Sequence, residues 1–213
     1  MRQKSSVTDA GIQSASQTTM EDELIFSKEW FILEKYHFKI LAIITELADN
    51  TGTFKGELTI FCENLSIQNS SGNKNKIKSA LNYLENNNHI TISEDKKIYT
   101  IKLSDIAEKT YQYKLKRTWY NQLRTAANKV SWENLLKVFL ALLDISKVPE
   151  NILTYKQIGE FTNCSVSTVG RAIKIIANLQ FGCFRILIKP VKKKCGEIYI
   201  TIGTIYEQAL FFE

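Results

Sequence analysis

Within ten residues, from Ser165 to Lys174, the sequence gathers Ser165, Val166, Ser167, Thr168, Arg171 and Lys174. Small hydroxyls, a methyl-bearing side chain and two cations are the types that meet base edges and phosphates in a DNA major groove. Helical spacing separates them from Val169, Ala172, Ile173 and Ile176, which form the opposite, apolar stripe. A second cationic group follows further along, at Lys189, Lys192, Lys193 and Lys194. Lysines of this kind suit phosphate contacts, which position a protein on a duplex without reading its sequence.

Other chemistries find no support. Neither His37 nor His89 has triad partners, no G-x-x-x-x-G-K-[ST] phosphate cradle occurs, and no acidic pair has metal-ligand spacing. Cys62, Cys164, Cys183 and Cys195 contain no C-x-x-C pair, so they read as reduced thiols of a cytoplasmic protein. The expectation is therefore no enzyme, no metal, no cofactor and no evident small-molecule ligand. Of the 213 residues, 44% are hydrophobic and 23% charged, enough for a globular core. No apolar run approaches the ~18–20 residues of a membrane span, so no membrane partner is expected. The net charge of +6 suits a polyanionic partner.

The elements that must position these residues form one scheme used twice. In the second copy, Ser131 is read as an N-cap before an apolar helix carrying Leu135, Leu136, Val138, Phe139, Leu142 and Leu143, ended by Lys147-Val-Pro149. Thr154 caps a short helix with Ile158 and Phe161, Asn163-Cys164 makes a turn, and Ser165 caps the next helix, which runs to about Leu179. From Cys183 the period changes to two, giving a hairpin around a turn at residues 192–196.

The first copy has the same order. Ile40, Leu41, Ile43, Ile44 and Leu47 mark its first helix. Thr59 is expected to cap a short helix through Leu65, and residues 68–72 to form a turn about one residue longer than the standard pattern. The helix that follows is striped by Ile77, Ala80, Leu81 and Leu84, and it turns Lys74, Asn75, Lys78, Ser79 and Asn82 outward. Its hairpin folds around residues 93–97, where Glu94 and Asp95 offset Lys96 and Lys97. Residues 1–19 read as a disordered tail and residues 104–130 as a basic helical connector. In that connector Tyr111, Tyr113, Trp119 and Tyr120 are expected to pack between the domains. Lys109, Lys114, Lys116, Arg117, Arg124 and Lys129 are expected to stay solvated.

The segment Tyr155–Lys174 resembles the twenty-residue helix-turn-helix pattern. Gly159 occupies the position where the two helices touch, and Asn163 the turn position that favours a left-handed backbone. A trihelical unit followed by a hairpin is similar to the winged helix-turn-helix superfamily. The resemblance implies an α+β, mainly α fold. It divides into a first winged-helix domain over residues 20–103, the connector, and a second domain over residues 131–213. It also implies double-stranded DNA as partner. Residues Ser165–Thr168, Arg171 and Lys174 would form the recognition helix, Lys189 and Lys192–Lys194 the wing, and Lys74, Asn75, Lys78, Ser79 and Asn82 an auxiliary face. Two such domains joined by a helix resemble plasmid replication initiators, whose second domain reads repeated origin sites while the first supplies homodimer and backbone contacts. A transcriptional regulator, or a tandem winged-helix protein-interaction scaffold, fits the same order of elements.

Overall fold

The computed structural model describes residues 23–104, 112–128, 130–146, 152–181, 184–194 and 197–206. The tail 1–19, Lys109, Tyr111, Lys129, Lys147-Val-Pro149, Cys183, Cys195 and Gly196 lie outside the described residues. Helices dominate an α+β arrangement with three small antiparallel sheets. No described helix is long and apolar enough to cross a membrane.

Two helices are buried on nearly every side, and each founds one half of the molecule. Helix α1 (Lys35–Leu47) contains Ile40, Leu41, Ala42, Ile43 and Ile44, none of them exposed to solvent. Helix α5 (Trp132–Ser146) has the same character from Leu135 to Leu142. A helix that is apolar all round belongs at the centre of a core. One continuous apolar cluster, from Leu24 to Phe181, contains both.

Around each central helix the elements follow one order. After α1 come strand β2 (Thr53–Gly56), α2 (Leu58–Asn64), α3 (Ser71–Asn86), β3 (Ile90–Asp95) and β4 (Ile98–Leu103). After α5 come β6 (Ile152–Thr154), α6 (Tyr155–Thr162), α7 (Val166–Ile176), β7 (Phe184–Lys194) and β8 (Glu197–Tyr206). The sheets match as well: β2 pairs with β4 beside β3, and β6 pairs with β8 beside β7. Sequence reading missed β2 and β6, which are too short to show a period of their own.

Several sequence expectations need correction here. Residues 23–27 form a strand, β1 (Glu23–Ser27), followed by a 3-10 turn over Lys28–Ile32, elements that the sequence reading did not anticipate. The connector is not a single helix. It contains strand β5 (Gln112–Lys116), paired antiparallel with β1, and only then helix α4 (Arg117–Ala126). Alternation is the physical reason: Tyr113 and Leu115 are buried while Lys114 faces out. Thr59 lies inside α2, whose N-cap is Glu57, and Gly72 lies inside α3, which Ser70 caps by accepting from the Asn73 amide. Ser131 does precede α5, and its carbonyl accepts the first helical bonds. Its hydroxyl, however, is buried and unpaired among the described residues.

The β1–β5 ribbon and the 3-10 turn join the two halves. Phe26, Trp30 and Phe31 are buried, each worth ~1.5–3 kcal/mol of apolar burial. Phe31 stacks on Tyr113 and meets Phe161 of α6 edge-on at 5.5 Å. Of the connector aromatics, Tyr113 stacks on Phe31, Trp119 packs against Phe139 and Phe181, and Tyr120 meets Trp132. Two of the connector's cations do not stay solvated: Arg124 pairs with Glu46 at 2.6 Å and donates to the Asn64 carbonyl, and Arg117 donates to the Glu46 carbonyl.

Candidate nucleic-acid interface

The segment α6–turn–α7 is fixed by side chains acting locally. Thr154 and Gln157 form a reciprocal cap on α6. The Gln157 amide donates to Thr154 Oγ1 at 3.1 Å, and the Thr154 amide to Gln157 Oε1 at 2.8 Å. The helix ends in Asn163 at φ 52° and ψ 44°, a left-handed conformation that Asn tolerates better than most residues. The Cys164 amide then bonds back to the Gly159 carbonyl at 2.9 Å. A Cβ on Gly159 would lie 2.6 Å from the Cys164 carbonyl oxygen, so the turn closes this tightly only on glycine.

Helix α7 begins with Ser165, whose Oγ accepts from the Thr168 amide at 3.2 Å. The same oxygen lies 3.1 Å from Ser167 Oγ and 2.9 Å from Thr168 Oγ1. Ser165 therefore serves mainly as the cap. Val169, Ala172, Ile173 and Ile176 are buried, as the stripe requires. Ser167, Arg171 and Lys174 are exposed at i, i+4 and i+7, one line along the outer face. Val166 at the head of the helix is 51% exposed, and Thr168 is half-buried. Arg171 Nε donates to the Ser167 carbonyl at 3.3 Å, which holds the guanidinium along this face.

The hairpin differs from its expected form. Lys192, Lys193 and Lys194 belong to strand β7, not to a turn, and the pairing register with β8 shifts between Val191 and Lys194. Lys189 is opposite Thr201 in the regular part of the ladder. The lysine triplet thus occupies the irregular outer end of a hairpin with strands of 11 and 10 residues. Polar runs read as turns in sequence; here a β-irregularity accommodates them within the strand.

In the first half, Asn75, Lys78, Ser79 and Asn82 are exposed on α3 and Lys74 is half-buried. Two of them have intramolecular partners. Ser79 donates to the Asn75 carbonyl, and Lys78 Nζ lies 4.0 Å from Glu94 and 5.6 Å from the Tyr99 ring centroid. The turn before α3 spans residues 65–70, against 163–165 before α7, so it is longer by three residues and not by about one. The first hairpin turns on Lys96 and Lys97 alone, both at positive φ (48° and 73°), with Asp95 opposite Ile98.

No protein-family model matches this chain, and its sequence has no significant match among curated proteins.

One residue beneath this surface escaped sequence reading. Lys137 sits inside the apolar run of α5 and is almost wholly buried. Its Nζ donates to the carbonyls of Phe31 and Leu33, each at 2.7 Å, and lies 4.8 Å from the Phe38 ring centroid. Burial pulls its pKa down to about 8, against the opposing pull of nearby Cys164 and Glu133. Asn163 adds a second tie, donating from Nδ2 to the Ile32 carbonyl at 3.1 Å. A lone lysine at the centre of an apolar helix was the available signal. Among the described residues Cys62 and Cys164 are unpaired thiols, and no group of side chains could hold a metal ion.

Proposed function

We propose that this protein binds double-stranded DNA sequence-specifically as a tandem winged helix-turn-helix protein, and that it serves as a plasmid or phage replication initiator. Helix α7 reads bases in the major groove, and the β7–β8 hairpin is the wing that grips phosphates. The observation that carries this reading is the exposed line Ser167, Arg171 and Lys174, on a helix set by the Gly159–Asn163 turn. Bidentate arginine is the commonest specific contact to guanine, and hydroxyls and an exposed Val166 methyl complete a groove-reading set. The repeated order of elements in the two halves supports the tandem description. The exposed amides and cations of α3 supply auxiliary contacts.

Titration of labelled duplex DNA at several salt concentrations tests the reading. Replacing Lys192, Lys193 and Lys194 with Ala should weaken binding to all sequences alike. It should also flatten the slope of log affinity against log salt by roughly two to three units, at ~0.9 per phosphate contact. An unchanged slope, or no DNA binding even at low salt, removes the wing and points to a protein-binding scaffold. A footprint on the protein's own locus separates the roles: direct repeats fit an initiator, and a single palindrome fits a regulator.

A further inference from the structure

Helix α3 of the first half has two distinct sides. Ile77, Ala80, Leu81 and Leu84 are buried. Opposite them, Asn75, Ser79, Asn82 and Asn86 fall at i, i+4, i+7 and i+11, one line along the helix, and all four are exposed. Lys76 and Lys78 are exposed on either side of that line, and Glu94, 4.0 Å from Lys78 Nζ, offsets one of these charges. The one acidic residue of α3, Glu85, is engaged elsewhere, since its carboxylate accepts from the Ile92 amide of β3 at 2.9 Å. Tyr83, 41% exposed, borders the line and stacks on His37 with ring centroids 4.0 Å apart.

Asparagines on and around the helices are used in two ways. Asn64, Asn87 and Asn178 each donate from Nδ2 to the carbonyl four residues back, and Asn73 donates to the Gln68 carbonyl in the turn before α3. Those amides finish helix ends. Asn75, Asn82 and Asn86 make no side-chain hydrogen bond among the described residues, which leaves the donors and the acceptor of each amide open. A row of open amides with cations on both sides, and no carboxylate within it, is complementary to base edges lying between two phosphate backbones.

We propose that α3 is a second base-reading helix, and that its asparagines select adenine in the major groove. This rests on the duplex-binding reading above and turns the auxiliary contacts into sequence readout. An amide that both donates and accepts matches the N7 acceptor and N6 amino group on the adenine edge. Guanine presents two acceptors there, so the amide oxygen would face O6 unpaired. Asn75 and Asn82 are about 10 Å apart along the helix axis, or about three base-pair steps. The preferred site therefore carries, apart from the block read by α7, a second block with adenines at about that spacing.

Enrichment of duplexes from a random library by the full chain tests this. Two enriched blocks are expected. Asn82→Ala should relax the adenine preference in one of them by about 5- to 150-fold, the worth of one bidentate pair, while Arg171→Ala relaxes only the other. Asn75 and Asn82 are exposed, so substituting them leaves the buried stripe of α3 intact. Placing 7-deazaadenine, which lacks the N7 acceptor, at the affected position should weaken binding by the wild type and not by Asn82→Ala. Unchanged sequence preference in both Asn75→Ala and Asn82→Ala, or equal loss on every duplex, overturns the proposal. If the block read by α7 emerges without an adenine block, this inference alone fails. If no duplex is enriched, the DNA-binding reading fails with it.

Discussion

The two halves end their penultimate helices in the same way and then part. In the second, Asn163 takes the left-handed conformation and the Cys164 amide closes on the Gly159 carbonyl. In the first, Ser66 takes it at φ 54° and the Ile67 amide closes on the Cys62 carbonyl, also at 2.9 Å. Cys62 stands where Gly159 stands. A side chain at that position leaves no room for an immediate return, and the first turn runs on for three more residues before Ser70 starts α3. The compact turn belongs to the half whose next helix carries an exposed arginine held along its own helix. The longer one belongs to the half whose exposed lysine leans on Glu94.

The largest effect that sharpens this comparison is expected at the glycine. Gly159→Ala sets a Cβ against a backbone carbonyl that has nowhere to go, so a loss near the upper end of the ~1–3 kcal/mol range for overpacking is expected. Cys62→Ala removes only a buried sulfur and should cost about 1 kcal/mol. Denaturant melts of both variants decide it, and equal costs would break the equivalence drawn between the turns.

Next comes the exposed face of α7 that is proposed to read bases. Arg171→Ala should cost ~1–3 kcal/mol of discrimination between specific and random duplexes, while Lys78→Ala should change specificity by less. Competition binding measures both. Equal loss on specific and random DNA would reduce Arg171 to a phosphate contact.

Within their apolar runs the central helices handle a buried polar residue differently. Thr45 in α1 satisfies itself on the Leu41 carbonyl at 2.9 Å, whereas Lys137 in α5 serves carbonyls of another segment. Thr45→Val should be close to neutral, and Lys137→Met should cost ~1–3 kcal/mol by stranding two carbonyls. The wild type should also gain stability relative to Lys137→Met as pH rises from about 8 toward the ordinary lysine value. In that window the unfolded chain binds the proton and the folded chain does not. A denaturation series across that range reads the slope, and a flat difference would show that the buried amine does not titrate there.

The smallest effect concerns the first hairpin. Lys96 and Lys97 both hold positive φ, the geometry that Asn-Gly adopts without strain. Replacing the pair with Asn-Gly should stabilise the protein by about 1 kcal/mol and leave the DNA salt slope nearly unchanged. A marked flattening of that slope would make the first hairpin a DNA contact after all.

The α6–α7 segment was legible because its determinants are local: a glycine at a contact, an asparagine in a turn, and a cap at each helix start. What was not legible depends on partners distant in sequence. The three residues of β6 become a strand only beside Ile200 and its neighbours in β8. The alternation of Tyr113 and Leu115 was present in β5 but was outweighed by the surrounding lysines. Nothing near Arg124 in sequence announces that Glu46 will neutralise it, and nothing near Lys137 announces the carbonyls of residues 31 and 33.

The pairing of Glu23 with Lys116 has a consequence for how the chain is made. Strand β1 has no partner until β5 has been synthesised, and the Lys137 bonds to Phe31 and Leu33 close loops of more than a hundred residues. Contacts of such separation are costly to close and slow to form, while the α1–β4 elements between them pair locally. On the ribosome the first half can therefore assemble its helices and hairpin while residues 23–33 wait, with Phe26, Trp30 and Phe31 uncovered. Docking of that apolar segment is then expected among the late steps of folding, when its uncovered surface is open to aggregation.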